Sequence, residues 1–258
     1  MEIGAQLFTV RESCKTLEDL SETLKKVSEI GYKNVQLSGI CPFPAEWMRE
    51  ELRKNGLRCT VTHVPKDDLL GNLNQVVADH KTFGCDNIGL GLYKFLSEDD
   101  VDYEAFLATF KPVAEGLKAR GALFNYHCHH TEFRKLSDGK TVVEHLMQDF
   151  SEDTLRFIPD TFWIQAAGGD PAEWISRLKG RIPNIHLKDY CFRPWLETKF
   201  SNYFAPVGEG NINFDRVFVA AEEAGTEVMY VEQDKCYGED PFACLKRSYD
   251  YLKAAGFH

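Results

Sequence analysis

A chain of 258 residues is one large domain or two small ones, and 43% hydrophobic content with 12% aromatic residues is enough for a sizeable core. No stretch approaches the roughly 20 apolar residues of a membrane span, and a formal net charge of −10 repels nucleic-acid backbones, which must be met by clustered Lys and Arg. The eight cysteines are scattered without a CxxC pair, as reduced thiols would be. With an N-terminus, Met1-Glu2-Ile3-Gly4, that lacks a basic and apolar leader, this leads to an expected cytoplasmic location.

Strand-like apolar runs alternate with helical patterns along the whole chain. In order, the pattern predicts strand Ile3–Phe8, helix Leu17–Ile30, strand Asn34–Leu37, helix Ala45–Asn55, strand Cys59–His63, helix Leu70–Phe83, strand Asn87–Leu90 and helix Phe106–Arg120. It continues with strand Leu123–His127, helix Val142–Phe150, strand Leu155–Asp160, helix Ala172–Leu178, strand Asn184–Lys188, helix Phe214–Ala224, strand Val228–Glu232 and helix Pro241–Ala255. Gly31, Gly56, Gly84, Gly121, Gly180 and Gly225 each end a helical stretch before a strand, where a left-handed residue is wanted. Strict βα alternation implies a parallel sheet. Eight units without interruption, and no G-x-G-x-x-G after any strand, favour one closed (β/α)8 barrel over 1–258 rather than an open doubly wound sheet. One long connection, Asp189–Asn213, carries Tyr190, Phe192, Trp195, Phe200, Tyr203 and Phe204, and its length suggests a lid whose aromatics wall the mouth.

A barrel carries its chemistry at the C-terminal ends of its strands, so polar residues that abruptly close apolar strands are the informative ones. They are His63, the run His127-Cys128-His129-His130, Asp160, His186-Leu187-Lys188-Asp189 and Glu232. Each has an ordinary structural alternative. His63 could be a satisfied structural histidine, Asp160 could cap the following helix, and Lys188 could pair with Asp189 as a plain salt bridge. His127 and His129 share a face of their strand while Cys128 does not, which argues against a four-ligand structural zinc site from that run. Glu132, Asp160, His186 and Glu232 together make a mixed carboxylate and imidazole set. Three oxygens and one nitrogen suit Mn²⁺, Mg²⁺, Co²⁺ or Fe²⁺, with Zn²⁺ less favoured.

At these residues the sequence resembles the xylose isomerase-like superfamily of sugar isomerases and epimerases, over essentially its whole length. The resemblance rests on Gln6-Leu7-Phe8-Thr9-Val10-Arg11, Tyr126–Phe133, Asp160-Thr161-Phe162-Trp163, His186-Leu187-Lys188-Asp189, Val207-Gly208-Glu209-Gly210 and Val231-Glu232-Gln233-Asp234, in that order. It implies a divalent-metal site carried by Glu132, Asp160, His186 and Glu232. As in the superfamily's ketose 3-epimerases, it also makes Glu132 and Glu232 the pair that moves a proton next to a carbonyl through a metal-bound enediolate.

Two departures bear on this. Trp163 stands where those epimerases carry a histidine, which bears on substrate orientation, and histidines occupy the end of the fifth strand, with Glu132 a few residues later, so His127 or His129 is an alternative ligand or base. His63, His127, His129, Trp163 and Lys188 are the expected substrate contacts. The leading expectation is a sugar isomerase or epimerase acting on a free or lightly derivatised sugar, without nucleic-acid or membrane partners and compatible with a homo-oligomer. A lyase or dehydratase on a keto-sugar, keto-inositol or 3-keto-glycoside would share the same first step. The superfamily's zinc-dependent abasic-site endonuclease fits poorly with an acidic chain, and a non-catalytic sugar-binding barrel is the plainest alternative.

Overall fold

The computed structural model describes residues 1–192 and 202–258. The barrel strands are β1 (Glu2–Gln6), β2 (Asn34–Leu37), β3 (Arg58–His63), β4 (Asn87–Leu90), β5 (Leu123–His127), β6 (Leu155–Ile158), β7 (Asn184–Leu187) and β10 (Val228–Val231). They pair in parallel in the order β6-β5-β4-β3-β2-β1-β10-β7. The two ends of that sheet meet through a parallel bridge between Asp160 and His186, reinforced by the His186 N–H donating to the Pro159 carbonyl at 2.9 Å. Eight parallel strands thus form a nearly closed barrel. Strands β2, β7 and β10 are buried on both faces, and β10, Val228–Val231, is apolar throughout.

The helices follow the expected alternation: α1 (Leu17–Ile30), α2 (Ala45–Asn55), α3 (Lys66–Gly71), α4 (Leu73–Phe83), α5 (Val101–Lys118), α6 (Val142–Asp149), α7 (Thr161–Ala166), α8 (Pro171–Arg177), α9 (Phe214–Ala224) and α10 (Pro241–Ala254). Local chemistry starts them. Thr16 with Asp19 and Thr141 with Glu144 form capping boxes, and Asp170 and Asp240 cap helices that open on proline. No helix among the described residues is long and apolar enough to cross a membrane.

Several details differ from the sequence reading, among them the helix expected over Leu70–Phe83, which is split into α3 and α4, and that expected from Phe106, which begins at Val101. The first strand ends at Gln6, because Leu7–Ser13 winds into a 3-10 helix. A short helix, α7, begins immediately after Asp160. The Asp189–Asn213 connection contains an antiparallel hairpin, β8 (Asp189–Phe192) with β9 (Asn202–Ala205).

Side-chain alternation sorts the barrel into an outer core and an axis. On β5, Phe124 and Tyr126 pack outward against Phe110 and Phe106 of α5, so Asn125 and His127 point inward. The lower axis is filled by Val61, Ile158, Val228 and Tyr230, with the Tyr230 hydroxyl 2.6 Å from Thr60 Oγ1. Gly4 lies beside Tyr230 in register, and a Cβ there would come within 2.4 Å of its ring. Gly4→Ala should therefore lower unfolding free energy by about 1–3 kcal/mol through overpacking. A denaturant midpoint equal to wild type would show that the Tyr230 ring can move aside.

Candidate metal and sugar site

The upper end of the axis is polar. His127, Asp160, His186 and Glu232 are buried and offer ligand atoms that all lie within 4.8 Å of one another. Each of these side chains has two polar atoms, and in each the surrounding framework engages one. Asp160 Oδ1 accepts the backbone N–H groups of Phe162 (2.9 Å) and Trp163 (3.1 Å), capping α7. Glu232 Oε1 accepts from Gln6 Nε2 at 2.9 Å. His186 Nε2 donates to Gln36 Oε1 at 2.5 Å, and His127 Nδ1 donates to the Gly91 carbonyl at 3.1 Å.

The atoms left over are Asp160 Oδ2, Glu232 Oε2, His186 Nδ1 and His127 Nε2. Two pairs of these are close: His186 Nδ1 is 2.9 Å from Glu232 Oε2, and His127 Nε2 is 3.3 Å from Asp160 Oδ2. With each histidine's other nitrogen already donating, lone pair faces lone pair unless a proton or a metal cation lies between. His186 Nδ1 and Glu232 Oε2 are also buried without a well-formed hydrogen bond. Hydrogen bonds that orient the back of each ligand and leave the front free are how metal sites are built, and the donor set fits a divalent ion.

Asp160 therefore does both of the things its sequence position allowed, capping a helix with one oxygen and facing the site with the other. Glu132 is placed differently from the set inferred by resemblance. Its oxygens accept from the Tyr126 hydroxyl, the His129 backbone N–H (2.9 Å) and the Thr131 hydroxyl (3.1 Å), and it lies outside the four-residue cluster. Burial pushes its carboxyl up to about 7 despite these donors. His127, inward at the strand end, stands in the cluster instead.

Lys188 does not pair with Asp189. Its buried ammonium lies 3.1 Å from Asp160 Oδ2, 2.9 Å from Glu232 Oε2 and 3.0 Å from Asp234 Oδ1, with the Trp163 ring 5.4 Å away. Burial alone would raise the carboxyls of Asp160 and Glu232, but Lys188 holds both below the usual range. For Asp234 burial prevails over Lys188, and its carboxyl rises to about 6. Burial depresses His63, His127 and His129, whereas for His186 the attraction of Glu232 and Asp160 outweighs burial and raises it.

A cavity of about 410 Å³ opens above the cluster, and His63, His127, His129, Lys188, Glu232 and Asp234 line its polar side. Among the described residues the apolar wall comes from Phe8, Val64, Pro65, Leu90 and Leu92, at the end of β4 or in the segments after β1, β3 and β4, rather than from the hairpin. The hairpin still reaches the site from behind. Phe204 stacks on Phe162 at 4.3 Å and lies 5.8 Å from the Lys188 ammonium, while Trp195 and Phe200 fall outside the described residues. Trp163 packs against His129 and His130. Gln36 and Ser38 were not marked by the sequence, and Gln6 and Asp234 entered only as members of the motifs that carry the resemblance. Ser38 lies 3.0 Å from His63 Nδ1, and both glutamines are polar residues in apolar strands, the same signal that marked Asp160.

A barrel closed by two of its own site residues, with a ligand cluster at the strand ends, belongs to the class of (β/α)8 barrels with their chemistry at the C-terminal mouth. The chain is a member of the xylose isomerase-like TIM barrel family, whose model matches residues 24–255. No curated protein matches the sequence. Similar solved structures include a sugar phosphate isomerase/epimerase from Parabacteroides distasonis, at 20% identity and TM-score 0.82, covering 99% of this chain and 94% of that one. An L-ribulose 3-epimerase (18%, TM-score 0.76, 98% and 94%) and the probable 3-DHS dehydratase involved in petrobactin synthesis from Bacillus anthracis (14%, TM-score 0.75, 98% and 99%) share the fold.

The Gly208-Glu209-Gly210 turn is occupied by a residue of the chain itself. Asp189 Oδ2 accepts the N–H groups of Gly208 (2.9 Å) and Gly210 (2.8 Å), and Oδ1 those of Tyr190 (2.8 Å) and Ile212 (3.3 Å). A Cβ on residue 210 would lie 2.4 Å from that carboxylate. Asp189→Ala should leave these amides without their acceptor at a cost of about 1–3 kcal/mol, and hydrogen exchange at Gly208 and Gly210 should accelerate. Unchanged exchange there would show that the turn holds itself.

Proposed function

We propose that the protein is a divalent-metal-dependent isomerase or epimerase acting on an unphosphorylated or lightly derivatised sugar. The observation that carries the reading is the convergence of four buried ligand atoms, two of them paired only with the Lys188 ammonium and the histidines, beneath a sugar-sized cavity. His127, Asp160, His186 and Glu232 would hold the ion. Two imidazoles and two carboxylates replace the three-oxygen set expected from sequence, a donor set that favours Mn²⁺, Fe²⁺, Co²⁺ or Zn²⁺ over Mg²⁺. When bound, such an ion polarises a carbonyl and its neighbouring hydroxyl as a Lewis acid.

The chain's own residues supply the proton chemistry. Of the two carboxylates in the cluster, Glu232 lines the cavity and Asp160 does not, so Glu232 is the base. It takes a proton from the carbon next to the carbonyl, the C–H electron pair becomes the C=C bond of an enediolate, and the proton returns to the neighbouring carbon or to the opposite face. Gln6 keeps Glu232 oriented through Oε1. His63 and His129 line the same cavity and orient sugar hydroxyls. An unphosphorylated substrate is supported by two features: Lys188 already faces three carboxylates, and the Gly208–Gly210 amides are taken by Asp189, which leaves the exposed Lys66 as the other lysine along the cavity.

One observation favours a second reading. Glu132, the other half of the expected proton-transfer pair, is absent from the cavity lining. Isomerisation, or β-elimination in which the enediolate expels a leaving group with its electron pair, needs only one base. Elimination makes the protein a lyase or dehydratase on a keto-sugar, and leaving-group release separates it from isomerisation.

The metal reading predicts one divalent ion per chain by elemental analysis after Mn²⁺ loading, lost in His127→Ala and kept in Glu132→Gln. An ion kept by the first variant and lost by the second would restore Glu132 as the ligand. For the chemistry, wild type turning over in deuterium oxide should place deuterium next to the carbonyl. Glu232→Gln should lose at least about 10²-fold in rate; full activity with metal bound in that variant would sink its role as base.

A further inference from the structure

The two carboxylate oxygens left free for a metal, Asp160 Oδ2 and Glu232 Oε2, are the same two that the Lys188 ammonium touches, at 3.1 and 2.9 Å. We infer that Lys188 is the resident counter-cation of this site, which an arriving divalent ion must push aside, and that it thereby sets how weakly or tightly the protein holds metal. The inference rests on the metal reading above.

The lysine is held in place by more than charge. Its backbone is clamped by Thr161, whose hydroxyl donates to the Lys188 carbonyl at 2.8 Å and accepts its N–H at 3.0 Å, so the side chain always enters the site from the same point. The side chain is buried, with its ammonium 5.4 and 5.8 Å from the Trp163 and Phe204 rings, and it meets solvent only through the cavity that it helps to line. An ion ligated at about 2.0–2.2 Å from these oxygens would sit no farther than about 5 Å from the ammonium if the lysine did not move. Two positive centres that close repel strongly at a buried site, since burial weakens screening.

The structure also provides the place to which the ammonium withdraws. Asp234 Oδ1 is 3.0 Å from the same Nζ, is buried, and is not one of the four ligand residues. Metal uptake is then an exchange in which Asp160 and Glu232 trade the lysine for the ion while Asp234 retains the lysine. Three carboxylates against one ammonium leave two negative charges in the pocket, the charge of one divalent ion. Without the ion, Lys188 keeps the carboxylates from repelling each other, so the metal-free protein stays folded with its ligands in position.

The test is calorimetric titration of metal-free, full-length protein with Mn²⁺, with thermal unfolding of the metal-free form alongside. Lys188→Met, which keeps the length and removes the charge, should bind Mn²⁺ at least about tenfold more tightly, and its metal-free form should unfold at lower temperature. Asp234→Asn should act in the opposite direction and weaken Mn²⁺ binding, because the lysine loses its place of retreat. The double variant distinguishes this from general electrostatics: with Lys188 already replaced, Asp234→Asn should have little further effect, whereas a simple loss of negative charge would weaken binding equally in both backgrounds. Equal or weaker Mn²⁺ affinity in a folded Lys188→Met overturns the inference. If that variant does not fold, unchanged affinity in Asp234→Asn overturns it instead. A wild type that takes up no Mn²⁺, Co²⁺, Fe²⁺ or Zn²⁺ overturns the metal reading itself, and this inference with it.

Discussion

Closing a parallel sheet requires its two outer strands to find each other, and here they do so through Asp160 and His186. The bridge between these two residues joins β6 to β7, and the same two side chains supply half of the ligand cluster. Asp160 also starts α7 by accepting two backbone N–H groups, so one carboxylate ties the seam, the helix behind it and the site together. Site geometry is thereby as rigid as the barrel. Replacing Asp160 would disturb closure and ligation together, which is why Glu232, outside the seam, is a cleaner place to probe chemistry.

The other ligands are oriented by the same device in different forms. A glutamine from β1 holds Glu232, a glutamine from β2 holds His186, and a backbone carbonyl just beyond β4 holds His127. Three different strands thus aim ligands that three other strands carry. Such dependence on neighbours suits a closed barrel, where every strand end lies within reach of the axis, and it fixes which nitrogen of each imidazole faces inward. The inward atoms are then left with electrostatic demands that the protein answers in part with Lys188, a buried cation set against three carboxylates. Buried charges of this kind are sustained only when matched, and one ammonium against three carboxylates leaves the match incomplete, as the proposed metal reading requires.

Glu132 is bound into the framework beside the site. Its carboxylate gathers the Tyr126 hydroxyl, the His129 amide and the Thr131 hydroxyl, which folds the segment after β5 into a tight 3-10 turn and fixes His129 at the cavity wall. The Gly208–Gly210 turn is a parallel case. Its amides would suit an external anion, and Asp189 supplies that anion from within the chain.

Eight βα units, the closed barrel and the strand-end residues His63, His127, Asp160, His186, Lys188 and Glu232 were all legible in the sequence, because period-two burial and the polar closure of apolar strands are local properties that survive without coordinates. Trp163 was legible as well, as the departure from a related motif. The choice between Glu132 and His127 was not. Alternation says which residues of a strand point to the axis, and it gives no direction for a side chain several residues beyond the strand, where the turn decides. Gln6 and Gln36 obeyed the same strand-end rule but had no chemistry of their own to draw notice. Their role exists only once β1 and β2 lie beside β10 and opposite β7. The pairing of Lys188 with Asp160, Glu232 and Asp234 rather than with its sequence neighbour Asp189 is likewise a product of the closed barrel. Adjacent strand residues face opposite ways, and only tertiary structure brings three carboxylates from two other strand ends within 3.1 Å of one ammonium.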